Sequence, residues 1–597
     1  MTELFGKNIK ALTAKNPELA KLALNATAMP ELAVTMSRSG LPVPKIGGLA
    51  LHSPYYPEKE GERFFTLAPQ DKDATLIVFG LGFGYHLEKT VKRPGRVIVI
   101  EPSPALLKSA LEHRDLTGVI GRADIVSPEG FAQMAPDLLP LKTEWLSHEP
   151  SARIFRSDHD PLFQPFSVRK YATEKRLKIM VVGPAHGGSV PTAASCARAL
   201  AQLGFEVDFM DNTPRRAEML SIEDVTPNKA HTAALKKIFS DYLGERIAAH
   251  ADHVRPDMIL ALAQAPLPPA VIERLKSLDI PIIFWFVENH RATPYWKTLA
   301  PHYDYFFAMQ KGQFLDDLAL AGAHNVAYLP QAADPVAHHP AQVTGPDMEK
   351  YGSPISFMGA GYPNRRKFFA SLLDLPLAVW GTEWELNTPL GQRVKNDNRR
   401  MTPEEYVKIF LASSINLNLH SSISHPGIDP MKDFVNPRTF EIAACGAFQL
   451  TDYRDELPEM FRIGEEIEVF HTVEELRDKI AYYLPRPEER EKIAHAGMRR
   501  VLKEHTFVHR LASMMVSILP KEEERMKRRR EKSHRINDAD SMIARAKDEE
   551  LKKFLSPFAG QGPLSLKKVM DEIEKGDGPL TRPEIIFMMI DQIFLQG

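Results

Sequence analysis

Asp433 and Glu441 are separated by seven residues in the stretch DFVNPRTFEIAACGAFQLTD (433–452), with Asn436, Pro437 and Arg438 between them. The order predicts a short helix that opens after Asn-Pro and closes at Gly446, a residue suited to the left-handed C-cap. The start of such a helix presents free N–H groups and the positive end of its dipole, a ready seat for a diphosphate. Glu441, one turn inside, can grip two ribose hydroxyls, and the Arg438 guanidinium can give phosphate two parallel charge-assisted bonds. The plainer readings are an acid that steadies the helix dipole by ~0.5 kcal/mol at Glu441, and a surface cation at Arg438.

A second cationic group follows an apolar run in ISFMGAGYPNRRKFF (355–369), where Gly359 and Gly361 precede Arg365, Arg366 and Lys367. A glycine turn lets main-chain N–H groups approach an anion. The cations behind it can neutralise a departing phosphate as its bond opens, an effect of up to ~3 kcal/mol per well-placed donor. Groups able to take a proton from an acceptor stand at two other strand ends, His186 in the loop PAHGGSVPTA and Glu288 with His290 after IPIIFWFV. Strand C-terminal ends border the ligand crevice in α/β sheets, and a carboxylate or imidazole there serves as a base when its pKa lies near working pH. A reaction that retains configuration needs no such base.

Taken together these segments resemble the donor-binding half of the GT-B glycosyltransferases, specifically the CgeB-like (spore maturation protein type) family with its N-x-R-x-F-E-x-x-A-C-G segment, here Asn436 to Gly446. LPEMFRIGEEIEVF (457–470), TVEELRDKIAYYL and KEHTFVHR (503–510) follow in the family's order, so the resemblance covers roughly residues 178 to 519. It implies transfer of a sugar from a nucleotide-diphosphate donor, with no metal and no cofactor beyond that donor. Arg365, four residues past Gly361, is the cation the resemblance assigns to the donor phosphate, with Arg366 second. Asp433 stands where many GT-B enzymes have Glu.

The first ~170 residues carry a separate signal. TLIVF (75–79) runs into Gly80-Leu81-Gly82-Phe83-Gly84-Tyr85-His86, then a helix pattern, then a strand, Val97 to Ile100, ending in Glu101. Strand, glycine turn, helix and a strand with a terminal acid is how a Rossmann-like sheet begins, with the glycines admitting a ligand and the acid holding ribose. Gly80, Gly82, Gly84 and Glu101 are therefore a possible second nucleotide site. The segment, with the upstream HSPYYP, resembles motility accessory factor (flagellin glycosylation) proteins, which implies a protein acceptor such as flagellin, or a surface glycan. Two rival functions stay open: a non-catalytic nucleotide-sugar-binding scaffold of a glycosylation complex, and an S-adenosylmethionine or dinucleotide enzyme working through the glycine turn.

The elements that must position these residues follow from the βα alternation. LKIMVVG, SCARALAQLG and FEVDFMD form one βαβ unit, PDMILAL and IPIIFWFV add buried strands, and alternation resumes after residue 355 beyond a Pro/Ala-rich linker at 329–344. The expected fold is α/β, with two Rossmann-like domains of GT-B type, an extra Rossmann-like domain in front and a helical tail behind. The expected boundaries are 1–170, 171–335, 336–520 and 521–597. Lys+Arg 75 against Asp+Glu 77 leaves a net charge of −2, which offers no global field for nucleic acid. Two separated cysteines, Cys196 and Cys445, exclude a disulfide scaffold. The absence of an export signal or apolar span points to a cytoplasmic protein. His302 and His338-His339 lack ligand spacing, so no catalytic metal is expected. In the tail, Ile585, Ile586, Met589, Ile593 and Phe594 mark an apolar face suited to partner docking.

Overall fold

The computed structural model describes residues 2–537, 539–561 and 564–596, with 531–537 and 593–596 described by backbone alone. By internal contacts the chain divides into two compact units, Met1–Leu275 with Ile282–Val516, and Lys276–Pro281 with Ser517–Gly597.

The first unit holds three parallel sheets in succession. β1 (Leu32–Met36), β2 (Pro42–Ile46) and β3 (Leu49–Ala50) form a small antiparallel ribbon ahead of them. The first parallel sheet comprises β4 (Thr75–Phe79), β5 (Val97–Ile100), β6 (Asp124–Val126) and β7 (Thr143–Ser147), in the order β6-β5-β4-β7. The second is built from β8 (Lys178–Val182), β9 (Glu206–Met210), β10 (Met258–Leu262), β11 (Ile282–Phe286), β12 (Tyr305–Ala308) and β13 (Val326–Tyr328), in the order β13-β12-β11-β10-β8-β9. The third contains β14 (Ser353–Met358), β15 (Leu377–Trp380), β16 (Ser413–Asn418), β17 (Gln449–Asp452) and β18 (Glu468–Phe470), in the order β15-β14-β16-β17-β18. The expected α/β class, with successive Rossmann-like sheets, an additional α/β region in front and helices behind, is what the chain adopts.

Continuous apolar runs make these strands because both sheet faces are covered by helices, so no polar alternation is needed. β10 and β11 are buried at every position. β16 departs from that rule. Its sequence is SSINLN, yet Asn416 and Asn418 are 2% and 1% exposed. Such groups are stable inside only when bonded. Asn416 Nδ2 donates to the carbonyls of Phe410 and Phe448, and Asn418 Nδ2 donates to Thr439 Oγ1 at 3.0 Å.

The linker and the end of the third sheet are pinned together. Ala333 N donates to the His505 carbonyl and Phe507 N to the Ala333 carbonyl, both at 3.0 Å. Lys503 reaches the first sheet's helices, with Nζ 2.6 Å from Asp158 and 3.4 Å from Glu129. The second unit is helical, and the helices Ala539–Arg545, Glu549–Leu555, Leu566–Ile573 and Arg582–Gln596 surround Leu555, Phe558, Val569 and Ile573. Phe587 and Met588 pack on that core, while Ile585, Ile586 and Met589 are exposed. The side chains of Ile593 and Phe594 lie outside the described residues. Among the described residues no helix is long and apolar enough to cross a membrane.

Candidate functional site

The helix Pro437–Ala444 forms where the sequence places it. Asn436 is its N-cap, with Oδ1 accepting from Thr439 N at 3.1 Å and Pro437 at the first position, where a missing N–H costs nothing. Gly446 has φ 72°, which lets the chain leave the helix toward β17. Asn436 is itself held from below, where its Nδ2 donates to Asn418 Oδ1 at 2.8 Å.

A buried trio fixes the cap from the other side. His420, just past β16, accepts from Asn436 N at 2.9 Å through Nε2, so its proton sits on Nδ1, which donates to Asp452 Oδ1 at 2.7 Å. Asp452 at the end of β17 also pairs with Arg454, which is 1% exposed. Burial pushes the His420 pKa down to about 4 against the pull of Asp452. Burial alone would raise Asp452, but His420 and Arg454 outweigh it and hold the carboxylate well below its ordinary range.

Glu441 and Arg438 face each other along this helix. Arg438 Nη1 donates to Glu441 Oε2, and its guanidinium lies 4.8 Å over the Tyr406 ring. Glu441 Oε1 lies 3.9 Å from His338 Nε2, and the Glu441 side chain is 16% exposed, so the pair is reachable. Burial lowers the His338 pKa, and its Nδ1 has no hydrogen-bond partner among the described residues.

The cationic group after β14 sorts differently from the sequence expectation. Arg365 is buried and donates to the Leu419 carbonyl from Nε at 2.9 Å and to the Ala360 carbonyl from Nη1 at 3.0 Å. Burial brings its pKa down to about 10. It braces the loops after β14 and β16. Arg366 sits nearer the surface, 3.0 Å from Glu385. Gly359 and Gly361 admit the chain's own neighbouring loop: Trp384 Nε1 donates to the Gly359 carbonyl at 3.1 Å, and a Cβ on Gly361 would lie 2.6 Å from the Glu383 carbonyl oxygen.

Asp433 faces the second sheet. It pairs with Arg291 and accepts from Gln310 Nε2 at 3.3 Å. Lys311 to Glu459 at 2.6 Å and Tyr328 to Glu456 at 2.7 Å extend the same seam. Burial raises the Glu456 pKa to about 7, against the Tyr328 bond and Lys311. Asp433 thus joins the two sheets at their facing ends.

Across this seam, Glu288 follows β11 and accepts from Tyr295 Oη at 2.9 Å, and Tyr295 Oη in turn accepts from Gln264 N at 2.9 Å. Burial raises the Glu288 pKa above its ordinary value despite the bonds from Tyr295 and Thr293. A Cβ on Gly187 would lie 2.4 Å from Gln264 Oε1, so the His186–Gly187 loop abuts the same group. His290 stacks on Phe314 with ring centroids 4.2 Å apart, which makes it a packing residue.

The glycine turn of the first sheet corrects its expected role. Glu101 is 1% exposed and accepts from Leu81 N, Gly82 N and Ser103 N at 3.0, 3.2 and 2.9 Å, so both its oxygens serve the turn and not a ribose. Burial nevertheless raises its pKa to about 7. Phe83 N donates to His52 Nε2 at 2.8 Å. A Cβ on Gly80 would meet Ser151 Cβ at 2.4 Å, and one on Gly82 would meet His52 Nε2 at 2.6 Å. The space that Gly80 and Gly82 leave is filled by the protein's own side chains, and Gly84 likewise abuts Leu116.

Residues 365–516 match the family model described as glycosyl transferase-like. The spore protein CgeB of Bacillus subtilis is 28% identical over 267 residues, which span 42% of this chain and 80% of its own length. Residues 365–516 are thus glycosyl transferase-like, and the chain is CgeB-like over the 267 residues aligned. A sucrose-phosphate synthase from Thermosynechococcus elongatus aligns over 58% of this chain and 99% of its own at 15% identity and TM-score 0.40. A glycosyltransferase from Rickettsia africae aligns over 58% and 98% at 14% identity and TM-score 0.41.

Proposed function

We propose that this chain is a GT-B-type glycosyltransferase that moves a sugar from a nucleotide-diphosphate donor to a protein or surface-glycan acceptor, with residues 336–520 holding the donor and 171–335 facing the acceptor. The observation that carries the reading is the Asn436-capped helix, which brings Arg438 and Glu441 to an accessible face inside the glycosyl transferase-like match. Glu441 takes the ribose hydroxyls, and Arg438 swings from Glu441 to the diphosphate. Positive charge and the helix N-terminus then stabilise the departing nucleoside diphosphate.

Glu288 is the group assigned to the acceptor. Burial raises its pKa, which strengthens the carboxylate as a base toward a hydroxyl proton, and Tyr295 orients it. His186, in the adjoining loop, is the second candidate. Arg365 holds the floor of the donor site, and Arg366 is the more exposed cation of the two, which would leave Glu385 to turn toward a phosphate.

The test is release of nucleoside diphosphate from a panel of nucleotide sugars, with and without an acceptor extract. Turnover with one donor, lost in Glu441→Ala, supports the proposal. Binding without turnover favours the scaffold, and activity dependent on S-adenosylmethionine moves the chemistry to the first sheet.

A further inference from the structure

Outside the proposed sugar site, three histidines from separate segments converge beside the glycine turn of the first sheet. His52 follows β3, His86 closes the turn, His148 follows β7, and Glu60 begins the helix Glu60–Leu67. One ligand atom from each lies within 4.8 Å of those of the other three. The three histidines are 3%, 1% and 6% exposed.

The hydrogen bonds assign the protons. His86 Nε2 lies 3.0 Å from the Gly80 carbonyl oxygen. A carbonyl only accepts, so Nε2 carries the proton and Nδ1 is a bare lone pair. That Nδ1 is buried and has no hydrogen-bond partner among the described residues. The Leu51 carbonyl accepts from the His148 ring, and His148 Nδ1 lies 2.8 Å from Ser151 Oγ, so the Ser151 side chain must turn to another rotamer for Nδ1 to take an ion. The rings of His86 and His148 lie side by side, with centroids 4.3 Å apart and planes 9° from parallel. His52 differs. Its Nε2 accepts from Phe83 N, so its proton is on Nδ1, which donates to Glu60 Oε2 at 2.7 Å. A metal on His52 would require an imidazolate or a broken turn, so His52 orients the carboxylate instead. Glu60 Oε1 accepts from Ser53 N at 2.5 Å, and the Glu60 side chain is 26% exposed, which opens the cluster to water.

We propose that His86, His148 and Glu60 bind a divalent transition-metal ion, Zn2+ or Fe2+ in character, with His52 as the positioning residue for Glu60. Two neutral imidazoles and a carboxylate suit such ions, and histidines whose second nitrogen is tied to a backbone carbonyl are the ordinary form of metal-ligating imidazole. Arg114, the cation beside His52 and His86, is paired with Glu88, so its charge does not stand alone against the ion. The ion joins the segment after β3, the glycine turn and the strand end at His148. This assignment is independent of the sugar-transfer reading.

The full chain, dialysed against chelator, is titrated with Co2+ while the visible spectrum is recorded. The expected result is one Co2+ per chain with d–d bands, displaced by Zn2+, and a higher unfolding temperature with either ion. Glu60→Gln keeps an acceptor for Ser53 N at a partly exposed position and is expected to fold as judged by circular dichroism, yet to lose the bands. His86→Gln is expected to lose them as well. The absence of saturable Co2+ binding in the wild-type chain overturns the proposal, whether or not the variants fold. Equal binding in wild type and Glu60→Gln overturns it too, since the ion then sits elsewhere.

Discussion

Glu441 has one oxygen on Arg438 and the other within reach of His338. If it grips ribose, its loss removes charged hydrogen bonds of about 1.5–3 kcal/mol, so Glu441→Ala should weaken donor binding by tenfold or more. The unfolding midpoint of the unliganded chain should move little, and calorimetry reads both quantities. His420 makes a prediction in pH. Its folded pKa is depressed to about 4 from the ordinary 6.5. The folded state therefore binds fewer protons, and the stability it contributes is full above pH 6.5 and is lost as pH falls toward 4. The span corresponds to roughly 3 kcal/mol. Denaturant midpoints between pH 7 and 4 should fall more steeply for wild type than for His420→Gln. At Glu288, whose pKa is raised, a base works only when ionised. The rate should climb with pH through that raised pKa, and Glu288→Gln should flatten the limb and lower kcat while leaving donor KM in place.

At the scale of elements, the glycines after β14 are packing devices. Gly361→Ala drives a Cβ to 2.6 Å from the Glu383 carbonyl oxygen, a backbone atom that cannot yield cheaply, and should cost about 1–3 kcal/mol. Gly118, in the helix Thr117–Arg122, has nothing within 4 Å of an added Cβ, and Gly118→Ala should be neutral or stabilising by up to ~1 kcal/mol. Urea melts of the pair check both. Elements made of continuous apolar residues were legible in sequence: β4 and β5 lie where TLIVF and VIVI stand, and the capped helix opens at Asn436. β16 was not legible, because Asn416 and Asn418 interrupt the apolar run that marks a buried strand, and only the fold brings Thr439, Gln449 and two carbonyls to them. The same reason hid His420 and Asp452. His420 lies just past β16 and Asp452 ends β17, and neither suggests a site until the two strands pair. The Gly80–Gly84 turn misled in the opposite sense. Local spacing describes a ligand cradle, but which atoms fill it depends on His52 and Ser151, distant in sequence.

Across the whole first unit, the two sheets that frame the proposed cleft are joined by Arg291–Asp433, Gln310–Asp433, Lys311–Glu459 and Tyr328–Glu456. The linker at Ala333 is clamped between His505 and Phe507. Such a seam holds the two sheets in register, and Asp433 acts in it as a strut. Binding of a nucleoside diphosphate by the capped helix is read most directly from thermal unfolding of the full chain with UDP, GDP, dTDP and CMP. One nucleoside diphosphate at ~100 times its dissociation constant should stabilise the folded state by ~2.7 kcal/mol, and Glu441→Ala should erase that shift. No shift with any nucleotide, or one of equal size in Glu441→Ala, would contradict a diphosphate site on this helix.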